Sequence, residues 1–471
     1  MRLRSYGCWS VLLLLGCQAS PRPQLLVYVD VDAPLVGQLR DDPSLSPDAA
    51  VDSLIVEVLD PDDALLPREG AAFVALETDS WPISFGVPAA EGGAGVAWLR
   101  LRAFRGLFGE GDETTPGGVR PLPETTLDRL VRVALPSEDV VEPVRVVLHG
   151  ACMGKPARFF PEPETCIDTT FGSPDVTSGD DATATVAGSW ADARAVACSI
   201  DPPPTALCVA GGVSIVGDLS LKGVEDVGLV ASVPLRAALV SPFFLDRTEY
   251  TVGRFRALLA RDDLDGMRPT ERDAADALYQ FCTWTQSPEN REDHPLNCVD
   301  AELAQRVCEL EGGRLPTEIE WEHAARGRGR RWIFPWGDEL PSCCAASFGR
   351  QGVGTEGYAC ARFGSGTEAV ASHTDPRACE GLADVSLDGV ADLAASVEEL
   401  VVGGARPYDD ACWREAGLLR DPVCDDPTSS AKVSRGTGWS SSFESAITPL
   451  RRFFASNSPG SGFRCAYSEA R

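Results

Sequence analysis

Apolar and polar residues alternate with a period of two in five short runs in the N-terminal part of the chain. The runs are LLVYVDV, SLIVEVLD, GVAWLRLRAF, LVRVALP and VRVVLHG, separated by clusters of Pro, Gly and Asp. Such alternation buries one face of a strand and leaves the other in solvent. The pattern predicts an all-β, immunoglobulin-like or related sandwich over residues 24–150, acting as a spacer or adhesive module without catalytic residues. A β-domain packed permanently on the following chain is the alternative.

Helix signals are dense in GGRLPTEIEWEHAARG, residues 312–327. Thr317 can cap a helix, and Glu320 can reach back to the N–H of the cap in a capping box. Pro316 prevents continuation backward, and Gly327 suits the left-handed position that ends a helix. The stretch therefore predicts a short helix placed by tertiary packing.

Composition narrows the possible partners. The 471 residues, 44% of them hydrophobic, leave room for two or three domains with their own cores. The formal net charge of -28 repels phosphate backbones, so we expect no nucleic-acid partner. No apolar run is long enough for a membrane-spanning helix, which needs about 18 residues or more.

The N-terminus has the pattern of an export signal. Arg2 and Arg4 precede the apolar stretch WSVLLLLG, and the segment ends in LLGC at Cys17. LLGC resembles the lipobox of bacterial lipoproteins, which implies a signal peptide over residues 1–17 and a lipid anchor on Cys17. Gln18, which is not Asp, favours the outer membrane of the cell envelope, at its periplasmic or its surface face. An ordinary cleaved signal with an incidental cysteine is the alternative.

Cysteine usage indicates an oxidising compartment. The chain has 16 cysteines, and setting aside Cys8 and Cys17 leaves 14, an even number. All of these lie at or after Cys152, which marks a domain boundary. We interpret residues 151–204 as a linker in which Cys152 and Cys166 can close a small local loop. Cys198 can close a second loop with Cys208, at the start of the next domain. The final domain then covers residues 205–471.

Several phrases in this last domain occur together in one known family. They are SPFFLDRTEYTVGRFRALL, HPLNCVDAELAQRVCELEGGRLPTEIEWEHAARG, FPWGDE and GSGFRCA. In sequence and spacing they resemble the formylglycine-generating enzymes, or sulfatase-modifying factors, over residues 205–470. The resemblance implies an α+β fold with much irregular structure and a C-type-lectin-like core. It also implies a disulfide between Cys308 and Cys465.

The catalytic cysteines of that family are not matched. Its enzymes oxidise a sulfatase cysteine to formylglycine with O₂, using a cysteine pair that binds Cu(I). In RGTGWSSSFESAITPL the corresponding positions hold Ser441 and Ala446. A hydroxyl is a poor ligand for Cu(I) and a methyl group offers no ligand atom, so we expect neither copper nor a catalytic residue here.

Other residues do not supply a substitute centre. Cys343 and Cys344 are adjacent, but a vicinal disulfide is strained, and we expect bonds to separate partners such as Cys360 and Cys379. An iron site of the related sulfoxide synthases needs an H-x-x-x-H-x-E helix. The histidines, which do not have that spacing, are His149, His294, His323 and His373. His323 stands where the family usually has Tyr, which suggests a packed or surface imidazole.

The ligand positions of the family's calcium site are better preserved than its catalytic cysteines. In DGVADLAASVEEL the family's two side-chain ligands correspond to Asp392 and Glu399, and its two carbonyl ligands to Ala395 and Val397. Hard oxygen donors of this kind suit Ca²⁺. The family's Gly, Asn and two Trp are replaced in this loop, so its turn can differ. The alternative is that both carboxylates face water.

Three functions remain in view. The favoured one is a lipid-anchored pseudoenzyme whose family fold binds a protein or a glycan. The second is a formylglycine-generating or other enzyme with a displaced active site, and the third is a purely structural envelope protein. Free thiols in the folded chain would favour the enzyme.

Overall fold

The computed structural model describes residues 24–60, 66–88, 95–136, 141–176, 185–222, 230–261, 264–351, 360–413, 417–424, 432–454 and 457–469. Two compact units divide the chain: an N-terminal unit of Met1–Leu45 and Ala49–Ala193, and a C-terminal unit of Ser46–Asp48 and Arg194–Arg471. The predicted signal and Cys17 lie outside the described residues. None of the helices within the described ranges is long and apolar enough to cross a membrane.

The N-terminal unit is built of β-strands. They are β1 (Gln24–Val31), β2 (Ser53–Asp60), β3 (Leu66–Val74), β4 (Ile83–Pro88), β5 (Val96–Phe104), β6 (Gly109–Gly111), β7 (Val119–Pro121), β8 (Leu127–Ala134), β9 (Val141–Leu148), β10 (Thr165–Cys166), β11 (Phe171–Gly172) and β12 (Asp175–Val176). A five-stranded sheet has the order β12-β8-β5-β2-β3, and a three-stranded sheet has the order β4-β1-β9. Within the latter, β1 pairs antiparallel with β4 and parallel with β9.

All five alternating runs of the sequence are strands, namely β1, β2, β5, β8 and β9. The alternating residues Leu25, Val27 and Val29 of β1 are fully buried, as the period-two pattern requires. The stretch 151–204, which the sequence predicts to be a linker, contains β10, β11 and β12 and divides between the units at residue 193. Strand β12 pairs with β8 and so extends the five-stranded sheet.

The C-terminal unit combines short strands with three short helices in its described part. The elements are β13 (Ala206–Val209), β14 (Gly212–Val216), β15 (Arg236–Val240), β16 (Phe243–Asp246), α1 (Val252–Leu259), α2 (Ala301–Leu310), α3 (Glu318–Ala325), β17 (Glu398–Gly404), β18 (Leu419–Arg420), β19 (Lys432–Arg435), β20 (Arg452–Phe453), β21 (Ser461–Gly462) and β22 (Ala466–Ser468). The sheet orders are β13-β16-β22, β14-β15-β18 and β20-β19-β17-β21. The described residues are mostly β with few helices, and long irregular segments connect these elements.

Helix α3 begins with the predicted capping box. Thr317 Oγ1 accepts from the N–H of Glu320 at 3.1 Å, and Glu320 Oε2 accepts from the N–H of Thr317 at 2.8 Å. Gly327 follows the helix with a φ of 66°, a left-handed conformation that glycine adopts without steric cost. Every residue of α3 is buried, so tertiary packing holds this short helix in place.

Two of the buried acidic residues of α3 fix the end of β19. Glu318 accepts from Arg435 at 3.1 Å and also pairs with Arg451. Glu322 accepts from Arg435 at 2.5 Å. Since burying a charge without a partner is costly, this network fixes where β19 ends and where the following loop starts.

Seven disulfides join the 14 cysteines that follow Cys17. They are Cys152–Cys166, Cys198–Cys208, Cys282–Cys298, Cys308–Cys465, Cys343–Cys360, Cys344–Cys379 and Cys412–Cys424. Adjacent Cys343 and Cys344 thus bond to separate partners. The Cys308–Cys465 bond ties α2 to the segment before β22, across 157 residues of sequence.

Candidate functional site

The loop between β19 and β20 carries the two positions that the resemblance assigns to the catalytic cysteines. It leaves β19 through Gly436, whose φ of 72° and contact with the Trp321 ring leave little room for a side chain. Trp439 then packs against Phe281 with ring centroids 4.8 Å apart, and its Nε1 donates to the carbonyl of Pro459 at 3.0 Å. These contacts fix the backbone just before Ser441.

Ser441 and Ala446 lie on either side of a single turn of 3-10 helix, Phe443–Ser445. The N–H of Ser441 donates to Gly438 at 2.9 Å, and its carbonyl accepts from Gly349 at 2.7 Å. Ala446 is fully buried, and its N–H donates to the carbonyl of Phe443 at 2.9 Å. Backbone hydrogen bonds therefore hold this turn in place, and neither of the two family positions carries a sulfur atom.

An apolar cavity opens beside this turn. Its volume is about 370 Å³. It is lined by Pro341, Ser342, Cys343, Cys344, Phe348, Arg362, Phe363 and Phe443. Both of its cysteines are half of a disulfide, so this cavity presents aromatic rings and one guanidinium and offers no thiol. It suits contact with an apolar group better than redox chemistry.

The predicted calcium residues occupy one buried loop. Asp392 has a φ of 59°, and its Oδ2 accepts from the N–H of Ala371 at 2.6 Å. The N–H of Ala395 donates to Asp384 at 3.4 Å, and the N–H of Val397 donates to Glu249 at 3.2 Å. Asp392 and Glu399 are both buried, so neither faces bulk water.

Glu399 already has a cationic partner. Arg464 Nε and Nη2 each donate to one of its carboxylate oxygens at 2.6 Å, and Trp321 Nε1 donates to Oε2 at 2.9 Å. Arg464 also donates to the carbonyls of Ala391 and Asp392. The bidentate ion pair holds the loop to the GFRC segment near the C-terminus.

Two further carboxylates, Glu249 and Asp384, meet this loop. Both are fully buried, and Glu249 Oε2 has no hydrogen-bond partner among the described residues. Burial, and then the charge of Asp392, raise the pKa of Glu249 well above its usual range and the pKa of Asp384 to about 8. Burial likewise raises the pKa of Asp392 to about 6. Three of these carboxylates, those of Glu249, Asp392 and Glu399, thus share the charge of one guanidinium, that of Arg464.

The sequence did not indicate these two carboxylates as site residues. Glu249 stands in LDRTEYTV, within a phrase that carries the family resemblance, which is the signal that could have found it. Asp384 follows Cys379 in the sequence and belongs to no quoted phrase. No group of three or more His, Cys, Asp or Glu side chains in the described ranges is arranged to hold a metal ion. The predicted calcium site is of a different kind, since only two of its four donors are side chains and the other two are backbone carbonyls.

Each histidine bonds to a different partner. His149 pairs with Asp32, His294 with Thr367, His323 with the carbonyl of Ala210 and His373 with Glu368, at 2.8 to 3.0 Å. His323 is packed inside α3, and burial lowers its pKa to about 4.

Fold and site together define a sulfatase-modifying-factor domain whose described cysteines are all engaged in disulfides. The model of the Sulfatase-modifying factor enzyme 1-like domain matches residues 194–469, and the chain belongs to this family. The predicted start at residue 205 therefore lies slightly inside the family match.

Individual relatives match shorter segments. The formylglycine-generating enzyme of Bos taurus is 45% identical over 51 residues, which is 11% of this chain and 14% of the relative. That of Streptomyces coelicolor is 28% identical over 162 residues, 28% of this chain and 49% of the relative. The inactive C-alpha-formylglycine-generating enzyme 2 of Bos taurus is 42% identical over 48 residues, 10% of this chain and 16% of the relative. The chain thus matches half or less of the length of each.

Among solved structures, PvdO from Pseudomonas aeruginosa is similar over 58% of this chain and 96% of its own, with 19% identity and a TM-score of 0.41.

Proposed function

We propose that the chain is a lipid-anchored, non-catalytic protein of the bacterial envelope, whose C-terminal unit binds a ligand with the fold of a sulfatase-modifying factor. The observation that carries the proposal is the pair Ser441 and Ala446 at the positions of the family's copper-binding cysteines. The hydroxyl of Ser441 and the methyl of Ala446 cannot replace two thiolates toward Cu(I).

Disulfide bonding supports the same proposal. Every cysteine in the described part of the chain is bonded to another cysteine, including Cys343 and Cys344 beside the apolar cavity. A displaced active site based on thiolate would need one of these bonds to be reduced, which an oxidising envelope disfavours.

The remaining parts of the proposal concern attachment. Cys17, in the lipobox-like LLGC, is the proposed lipidated residue, with the outer membrane as its location. The N-terminal unit, proposed to be an immunoglobulin-like sandwich, would then act as a spacer between the lipid and the C-terminal unit. The ligand class proposed is a protein or a glycan.

We propose a structural Ca²⁺ ion for the buried loop. The partnerless Glu249 Oε2 and the excess of carboxylates over guanidinium groups are the features that favour a divalent cation. Asp392 and Glu399, with the carbonyls of Ala395 and Val397, would hold it. The ion would supply positive charge and fix the loop, with no part in a reaction.

The test counts free thiols in the mature protein by alkylation and intact mass, before and after reduction. We expect none in the native protein and 14 after reduction, since Cys17 carries lipid. The Ser441→Cys/Ala446→Cys variant is the matched control, and it should add two alkylatable groups and acquire Cu(I) binding in a competition assay. Two or more native thiols, or tight Cu(I) uptake by the wild type, would overturn the proposal.

A further inference from the structure

A small polar cavity lies in the C-terminal unit, apart from the apolar cavity and the calcium loop. Its volume is about 210 Å³. It is lined by Phe281, Asn290, Arg291, His294, Ser365, Gly366 and Thr367. At about 30 Å³ for each water, the space holds roughly seven waters, which suits a small ligand and excludes a folded partner.

The charge of this cavity is unusual for so acidic a protein. No Asp or Glu is among its lining residues, whereas Arg291 is. Burial, and then the charge of Arg291, lower the pKa of His294, so this ring lines the cavity as a neutral hydrogen-bonding group at neutral pH. The Arg291 guanidinium donates to the carbonyl of Cys282 at 3.1 Å, and no carboxylate of the described residues lies within ion-pair distance of it. A guanidinium that lines a cavity without an anionic partner is ready to accept one.

Two carboxylates close to Arg291 in the sequence are paired with other arginines, so neither forms an ion pair with Arg291, and only the charge of Glu289 acts on it from a longer distance. Glu289 pairs with Arg272 at 3.1 Å, and Glu292 accepts from Arg256 through both of its oxygens at 3.0 Å. Burial, and then the charge of Arg272, lower the pKa of Arg291. An anion in the cavity would supply the missing negative charge.

The walls are fixed on both sides. On one side, the disulfide between Cys282 and Cys298 holds together the segment that begins at Phe281 and the segment that follows His294. On the other side, Arg350 Nε donates to the carbonyl of Gly366 at 3.1 Å, and Gly366 has a φ of 85°. His294 Nδ1 lies 3.0 Å from Thr367 Oγ1, which joins the two walls. A fixed cavity loses little entropy when it orders a ligand.

From this arrangement we infer that the cavity binds a small oxyanion, such as phosphate, sulfate or the carboxylate group of a small molecule. Arg291 is the charged donor, and the Asn290 amide, the Thr367 hydroxyl and the His294 ring are the polar groups around it. The inference goes beyond the binding role proposed above, since a small oxyanion is neither a protein nor a glycan, and it stands on the cavity alone.

Isothermal titration calorimetry of the full mature protein tests the inference. Sodium phosphate, sulfate and acetate are titrated separately at constant ionic strength, with chloride as the reference anion. We expect saturable one-to-one binding of at least one of the three, and the preferred anion then distinguishes an inorganic ligand from a carboxylate. Arg291→Gln should weaken that binding at least tenfold, and His294→Gln should weaken it less.

The matched control is Arg377→Gln, because Arg377 is 90% exposed in its side chain and does not line the cavity. It should bind the anion as the wild type does, and all variants should retain seven disulfides by intact mass. Absence of saturable binding by the wild type, or wild-type affinity in Arg291→Gln, would overturn the inference. Either result leaves the thiol count untouched, so failure of this inference is distinguishable from failure of the proposed function.

Discussion

At the scale of single residues, His323 shows how burial settles a choice that the sequence left open. Its Nε2 bonds to the carbonyl of Ala210 at 3.0 Å, while Nδ1 is buried without a partner among the described residues. Protonation of Nδ1 would bury an uncompensated charge. The imidazole is therefore a packed core group.

The contribution of His323 to the free energy of unfolding should fall as pH falls from about 6.5 to about 4. The pKa of His323 is lowered from 6.5 to about 4 in the folded state, so the unfolded chain takes up the proton first and gains stability over that window. The loss attributable to His323 should be about 2 kcal/mol between pH 7 and pH 4.5. Denaturant unfolding of the wild type and of His323→Gln at several pH values measures this loss. The free energy of unfolding should depend less steeply on pH in the variant. Parallel pH profiles would refute this assignment.

The candidate site was predictable only where a residue's identity decides its chemistry. Ser441 and Ala446 could be recognised from the sequence, because neither side chain has a soft ligand atom. Glu249 had only its place in a phrase of the family resemblance as a signal, and Asp384 had none, because its importance comes from burial and from the approach of segments far apart in the chain. Arg291 was missed for a related reason: the sequence does not show that Arg272 and Arg256 occupy the nearby carboxylates.

At the scale of elements, local signals were most reliable where they were strongest. The capping box of α3 and the five alternating strands could be predicted from spacing alone. Strand β3 was missed because LPREGAAFV lacks regular alternation, and β4 was missed because ISFGVP is short and contains Gly and Pro. Strand β4 depends on pairing with the distant strand β1, whereas β3 pairs with β2, its neighbour in the sequence.

The Cys308–Cys465 bond should contribute more stability than a short-range bond in the same unit. It closes 157 residues of sequence, against 10 for Cys198–Cys208, and a longer loop restricts the unfolded chain more. Replacing Cys308 and Cys465 by Ala should lower the free energy of unfolding by about 2–4 kcal/mol. The Cys198→Ala/Cys208→Ala variant is the control and should lose less in the same denaturant titration. An equal or smaller loss for the long-range pair would contradict the expectation.

At the scale of the whole molecule, the net charge limits the possible partners and the disulfides indicate the redox conditions that suit the protein. The net charge of -28 disfavours polyanionic partners, and seven disulfides suit an oxidising compartment. Within this acidic chain, the loop proposed to hold Ca²⁺ brings buried carboxyl groups together, whereas the cavity proposed to bind an oxyanion is lined by Arg and His. The two features predict ligands of opposite sign.

Calcium should stabilise the protein after treatment with a chelator. Ca²⁺ would offset the repulsion among Glu249, Asp384 and Asp392, and a hundredfold excess over Kd corresponds to about 2.7 kcal/mol. Differential scanning calorimetry should show a higher Tm with Ca²⁺, and Asp392→Asn should lose most of that increase. Asp375→Asn, a change at an exposed carboxylate, is the control and should keep it. A Tm that is unchanged by Ca²⁺ would mean that protons, and not a metal, relieve the repulsion.

The most direct test of the account is conversion of a sulfatase-derived C-x-P-x-R peptide in the presence of O₂, Cu(I) and a reductant. Mass spectrometry and aldehyde trapping report formylglycine, with the enzyme of Streptomyces coelicolor as a parallel positive control. We predict no formylglycine with this protein, because Ser441 and Ala446 cannot hold copper. Repeated turnover of the peptide would contradict the account, since it would require a catalytic centre elsewhere in the chain.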